Sequence, residues 1–253
     1  MQKTVFYIAG ASPALAVAKA QLIRSGIPVA PVPDASVTHL LLPVPSFDAD
    51  GRIRGGEDPG VLLRQLPQNI TVFGGKLDVP PLSGYQTRDL LKDEFYLAEN
   101  AAITADCAIR IAHQILPGIL KHTKILIIGW GRVGKHLAFL LRQNGADVTV
   151  AARKEADRAM VLSFGFRAAD PARMEDPLRH CRVLFNTAPA PVISEAQAAL
   201  CTADCIKIDL ASARGIAGDN VIWARGLPGK DAPEASGALI AKTCLRLVST
   251  EEG

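Results

Sequence analysis

The stretch KILIIGWGRVGKHL, residues 124–137, restricts the fold of this chain more than any other. A run of aliphatic residues ends in glycines at 129, 131 and 134, and an amphipathic helical pattern follows at once. G-x-G-x-x-G by itself is a weak match, but between a strand and a helix it acquires a mechanical meaning. Gly129 permits a tight turn, Gly131 lets a pyrophosphate approach the backbone, and Gly134 lets helix and strand pack closely. The helix N-terminus then offers N–H groups and a partial positive charge to phosphates. The loop reads as a dinucleotide site; the alternative is a tight turn without a ligand.

The surrounding chain repeats this alternation. Strands are expected at 147–151, 166–170, 182–186, 205–210 and 220–224, with helices at 132–144, 155–164 and 194–200. These strands lack a polar face, which indicates a parallel sheet covered on both sides. Ahead of them lie strands at 4–9, 37–42 and 70–73, a helix at 13–25 and a helical turn at 61–66. Segment 48–60 is a glycine-rich loop, and 75–91 reads as irregular. A long helix spans 94–116, stopped by Pro117-Gly118, and 237–248 is again helical. The expected architecture is α/β with two domains: a Rossmann-type doubly wound parallel sheet and a smaller flavodoxin-like α/β domain at the N-terminus. The expected boundaries are 1–92 for the N-terminal domain, 93–120 for a connecting helix and 121–232 for the nucleotide domain. Segment 233–253 is expected to be a C-terminal helix packing back on the first domain.

With 253 residues, 49% of them hydrophobic, the chain can bury a substantial core. The formal charge of +3 is spread without a basic block, giving no reason to expect nucleic acid. No apolar run reaches membrane-spanning length. Pro13, Lys19 and Arg24 interrupt the N-terminal segment, which reads as a strand and helix rather than a signal peptide. The five cysteines are odd in number and widely spaced, as expected of reduced structural thiols in a cytoplasmic protein. The histidines at 39, 113, 122, 136 and 180 form no ligand spacing with them, so no metal site is expected. No G-x-S-x-G nucleophile elbow is present.

The end of the second nucleotide-domain strand bears on which dinucleotide binds. An NAD site places a carboxylate there, whereas this strand runs into Ala152, Arg153 and Lys154, and Asp147 lies at its other end. A guanidinium grips a 2′-phosphate that a carboxylate would repel, so NADP is favoured. Together with Gly129, Trp130, Gly131, Arg132, Val133 and Gly134, these three residues form the expected cofactor loops. Asn186, Thr187, Ala188 and Pro189 in FNTAPAPV, and Asp209 and Leu210 in IDLAS, follow later strands at the edge where ligands bind. For Asp209, an acid within an apolar run, a structural role and a place beside the cofactor are both open. Lys76, Tyr85 and Arg88 from the first domain and Lys230 in GLPGKDAP are candidates to meet a carboxylated substrate; no catalytic base stands out.

AENAAITADCAI (98–109), IIGWGRVGKHLA (127–138), GADVTVAARKEAD (145–157), FNTAPAPV, IDLAS and GLPGKDAPEASG (226–237) occur in an order that resembles the A-subunit family of bacterial dipicolinate synthase. The resemblance covers the C-terminal two thirds of the chain. It implies oxidation of dihydrodipicolinate to dipicolinate, pyridine-2,6-dicarboxylate, with hydride transfer to NADP⁺. It also implies a partner, the flavoprotein-like B subunit of dipicolinate synthase, together with a role in the cytoplasm of a sporulating cell. A homo-oligomer is compatible with it. The same fold would also serve an NADP-dependent dehydrogenase of another small carboxylated substrate, or a non-catalytic nucleotide-binding or regulatory subunit.

Overall fold

The computed structural model describes residues 4–251. In chain order the elements are β1 (Phe6–Ile8), α1 (Pro13–Arg24), β2 (His39–Leu41), α2 (Pro59–Leu63), β3 (Thr71–Gly74), β4 (Gln86–Asp89), α3 (Glu94–Ile115), β5 (Lys124–Ile128), α4 (Arg132–Gln143), β6 (Asp147–Ala151), α5 (Glu155–Ser163), β7 (Arg167–Ala169), α6 (Glu175–His180), β8 (Val183–Asn186), α7 (Glu195–Ala198), β9 (Ile206–Asp209), β10 (Val221–Trp223), α8 (Leu227–Asp231) and α9 (Pro233–Glu251). They fall into two compact units. The first runs to Asn100 and resumes at Pro228, and the second is Ala101–Leu227. Among the described residues no helix is long and apolar enough to cross a membrane.

The first unit holds a parallel sheet in the order β1-β2-β3-β4, and Val29 adds a single parallel bridge to Phe6. With that bridge counted as a shortened strand, the order is the flavodoxin order 2-1-3-4-5. Ser12 caps α1 by accepting from the Leu15 N–H, and Pro13 follows at the first helical position, where its missing N–H costs nothing. Phe6 and Phe73 enclose His39, whose ring stacks on Phe6 at 5.0 Å and whose Nδ1 meets the Thr38 hydroxyl at 2.7 Å. This histidine is therefore a satisfied core residue. Helix α9 lies against α1 at Gly237, where a Cβ would collide with the Ala14 carbonyl and Val17.

Near the start of α3, Asp93 accepts from the Tyr96 N–H and from Arg246 on α9, at 2.6 Å for the latter. Burial pushes the Asp93 carboxyl up, but these donors outweigh it and hold it below the usual carboxylate range. A depressed folded-state value stabilises above the ordinary carboxylate pKa, and that stability is lost as pH falls through the folded value. Arg246→Met should therefore cost about 1 kcal/mol at neutral pH, because the pair is partly solvent-screened. In denaturant titrations the wild-type advantage should shrink toward zero in acid.

The second unit holds six parallel strands in the order β10-β9-β8-β5-β6-β7. Numbered within the unit, that is 3-2-1-4-5-6 read from the other edge, the order of dinucleotide-binding folds. Direction reverses at β5, flanked by β6 and β8, so the loop leaving β5 emerges at the topological switch point, where ligands bind in sheets of this kind.

Candidate functional site

Strand register brings most of the sequence-derived residues to one edge. Ile128 lies beside Ala151 and Asn186, Asn186 beside Asp209, and Asp209 beside Trp223. The segments that follow, 129–134, 152–154, 187–189 and 210, therefore leave the sheet side by side.

Each glycine has its own steric reason. Gly129 has φ +105°, and Gly134 approaches so closely that a Cβ would strike the Gly129 carbonyl oxygen. Beneath both, Thr187 donates its hydroxyl to the Ile128 carbonyl at 2.9 Å. Gly131 differs: its backbone (φ −79°, ψ −170°) suits any residue, and a Cβ there would meet nothing within 4 Å. A pyrophosphate held at this helix end would need such open space. Gly131 is also the N-cap of α4 and supplies no side-chain cap. A helix leaves its first N–H groups without intrahelical partners, and with the macrodipole they make an anion site. Arg132 and Val133 form the first turn, whereas the Trp130 ring is buried against Phe164 and Phe166. Trp130 thus offers the loop its main chain, and its indole anchors the loop in the core.

After β6, Ala152 is buried while Arg153 and Lys154 are exposed. Arg158, not singled out by the sequence pattern, donates to the carbonyls of Ala152 and Arg153 at 2.9 and 2.8 Å and pairs with Asp170 at 3.5 Å. It clamps the turn that presents Arg153. Asp147 starts β6 and pairs with Arg167 at the opposite sheet edge.

Asn186 and Asp209 are both fully buried, and their side-chain polar atoms are engaged within the protein. One Asp209 oxygen accepts from Asn186 Nδ2 at 2.8 Å and from the Ala211 N–H at 3.1 Å. The other accepts from the Gly215 and Ile216 N–H groups at 2.7 and 3.0 Å. Asn186 Nδ2 also donates to the Ala188 carbonyl, and Asn186 Oδ1 accepts from the Ala188 N–H. The pair shapes loops 187–190 and 210–216, and Leu210 is tied in by its N–H to the Asn186 carbonyl at 2.8 Å. Pro189 remains exposed on the first of these loops. Gly215 was missed in the sequence, although a Cβ there would collide with the Asn186 amide. Also missed was Trp223, whose ring has Arg214 and Arg225 at 5.1 and 6.0 Å and whose Nε1 donates to the Ala211 carbonyl.

The first-unit candidates separate. Lys76 is exposed, with φ +60°, just past the C-terminal end of β3. Tyr85 precedes β4 at the other end of the sheet and packs on the apolar core. Arg88 lies within β4 opposite Phe73, and Lys230 is exposed on α8. Lys76 and Tyr85 therefore do not converge, because the 75–85 segment crosses from one end of the sheet to the other.

A groove of about 500 Å³ lies at the opposite edge of the second sheet, lined by Lys124, Asp147, Arg167, Asp176, His180 and Cys181. It holds the Asp147–Arg167 ion pair, and His180 Nδ1 lies 3.1 Å from the Asp176 carboxylate. Beside it the structure gathers thiols that the sequence kept apart: the Sγ atoms of Cys181, Cys201 and Cys205 lie within 4.8 Å of one another. Hydrogen bonds from Cys181 and Cys205, with help from Lys207, hold the Cys201 thiol below its ordinary value.

No family model matches the chain. The A subunit of dipicolinate synthase from Bacillus subtilis (strain 168) is 23% identical over 245 residues, covering 88% of this chain and 82% of that protein. The crystal structure of the A subunit of dipicolinate synthase from Bacillus halodurans superposes with a TM-score of 0.83 at 21% identity, covering 98% of each chain. That of the Bacillus subtilis protein gives 0.84 at 18% identity, covering 99% of this chain and 97% of the other. The chain is thus similar in sequence to the A subunit of dipicolinate synthase, and it shares the α/β fold of two parallel sheets with the structures of that subunit.

Proposed function

We propose that the chain is the dehydrogenase subunit of a dipicolinate synthase, oxidising dihydrodipicolinate to dipicolinate with NADP⁺ as hydride acceptor. The observation that carries the reading is the open space over Gly131 at the uncapped N-terminus of α4, set at the switch point of a Rossmann-ordered sheet. Sequence similarity to the dipicolinate synthase protein supplies the substrate class.

Gly129–Gly134 would hold the pyrophosphate through main-chain N–H groups, with Thr187 fixing the floor of the loop. Arg153 and Lys154, on the turn that Arg158 clamps, would receive the 2′-phosphate. The nicotinamide of the cofactor, when bound, would supply the hydride-accepting carbon. The Asn186–Asp209 pair sets the loops along the same edge, so that a ring is positioned rather than chemically activated. Arg214 and Arg225, flanking Trp223 at this edge, supply positive charge for a dicarboxylate. Loss of hydride and proton leaves an aromatic pyridine, which provides driving force without a strong dedicated base. Its relative is named as one subunit of a synthase, and in keeping with that this chain would work with a second, flavoprotein-like B subunit.

Fluorescence titration with each reduced nicotinamide tests the cofactor. NADPH should bind more tightly than NADH. Arg153→Ala should weaken NADPH by about 1.5–3 kcal/mol, the size of a lost charged hydrogen bond, and leave NADH unchanged. Equal weakening of both would remove Arg153 from the 2′-phosphate site.

A further inference from the structure

The thiols of Cys181, Cys201 and Cys205 come from separate places. Cys181 ends α6, Cys201 follows α7 and Cys205 leads into β9. Arg182 and Asp204, paired at 2.8 Å, hold two of these segments together, and the Ile206 N–H donates to the Arg182 carbonyl at 3.0 Å. The three side chains then turn toward one another beside an apolar cluster that includes Leu178, Leu184 and Ile193. Cys181 and Cys205 are buried, whereas Cys201 is half-buried and gives access from solvent. All three lie at the N-terminal ends of β8 and β9, the edge away from the glycine loop, and the site proposed above does not use them.

The distances suit a shared ion. Zn–S bonds of about 2.3 Å in tetrahedral array set neighbouring sulfurs about 3.8 Å apart. The Cys181 and Cys205 sulfurs are 3.8 Å apart, and all three lie within 4.8 Å, so small rotations close the set. Soft thiolates select Zn²⁺ or Cu⁺ over hard cations. Three thiolates around a divalent ion leave one net negative charge, and Lys207 stands near enough to Cys201 to offset it.

We propose that Cys181, Cys201 and Cys205 form a structural site for one thiophilic metal ion, Zn²⁺ in the first instance, with solvent in the fourth position. Binding replaces thiol protons by metal–sulfur bonds and releases those protons to solvent, with no change of oxidation state. The ion would cross-link α6, the segment after α7 and the start of β9.

The test uses the reduced full-length chain, stripped with chelator and titrated anaerobically with Co²⁺ and then Zn²⁺. One equivalent of Co²⁺ should give a thiolate-to-cobalt charge-transfer band that Zn²⁺ abolishes, and Zn²⁺ should shield three of the five thiols from an alkylating reagent. Cys201→Ser, at a half-buried position that tolerates the change, should weaken binding at least tenfold, and Cys107→Ser should leave it unchanged. Absence of the band, or equal affinity in Cys201→Ser, would overturn the site. So would oxidation of Cys181 and Cys205 to a disulfide at the same rate with and without Zn²⁺.

Discussion

Gly131→Val should leave the chain folded and reduce nucleotide affinity by about 100-fold, or about 2.7 kcal/mol. The expectation follows from what the three glycines do. At Gly129 and Gly134 a side chain would hit Thr187 or the Gly129 carbonyl, so loss of binding there would be confounded by damage to the fold. At Gly131 the backbone is extended and a Cβ points into open space. The only structural penalty is a poorer N-cap on α4, about 1 kcal/mol or less. The branched side chain instead fills the volume a pyrophosphate needs and keeps it from the helix N–H groups. Circular dichroism with denaturant titration would check the fold, and NADPH fluorescence the affinity. Unaltered affinity would place the dinucleotide elsewhere.

The second large effect is on stability. Asp209→Asn should destabilise the second unit by about 3 kcal/mol, although it changes one atom, because each buried donor left unsatisfied costs about 1–3 kcal/mol. Both oxygens of Asp209 face donors: Asn186 Nδ2 and Ala211 N–H on one side, Gly215 and Ile216 N–H on the other. Whichever way the new amide turns, its NH₂ confronts two donors in a fully buried site. Denaturant midpoints report the change, and a loss below about 0.5 kcal/mol, the ordinary scatter of surface substitutions, would mean the network matters less than its geometry implies.

What the sequence disclosed depended on whether a feature was local. The strand–glycine–helix unit at 124–137 declared itself because turn, strand and helix signals are adjacent in sequence. Strand β4 did not: QTRD is polar and partly exposed, and it pairs only with β3, so no apolar run marks it. Helix α6 carries Pro177 within six residues, which reads as a break. Helix α9 begins at Pro233, ahead of the helical periodicity that starts at 237, because proline suits the first helical position. The site divides in the same way. Residues 129–134 and 152–154 were legible from spacing. That Asp209 is spent on Asn186 and loop 211–216, and that Arg158 clamps the turn at Arg153, depends on partners distant or unmarked in sequence. The cysteine cluster is the extreme case, since Cys181 lies far from the 201/205 pair until α6 and β9 bring them together.

The most direct test of the central claim is turnover. Freshly generated dihydrodipicolinate would be mixed with the protein and NADP⁺ or NAD⁺, in the presence or absence of the B subunit, while reduced cofactor is followed by absorbance. The account predicts NADPH formation accompanied by dipicolinate, slower with NAD⁺ and lost in Gly131→Val. Tight NADP⁺ binding without turnover under any of these conditions would contradict it and leave a nucleotide-binding protein without dehydrogenase chemistry.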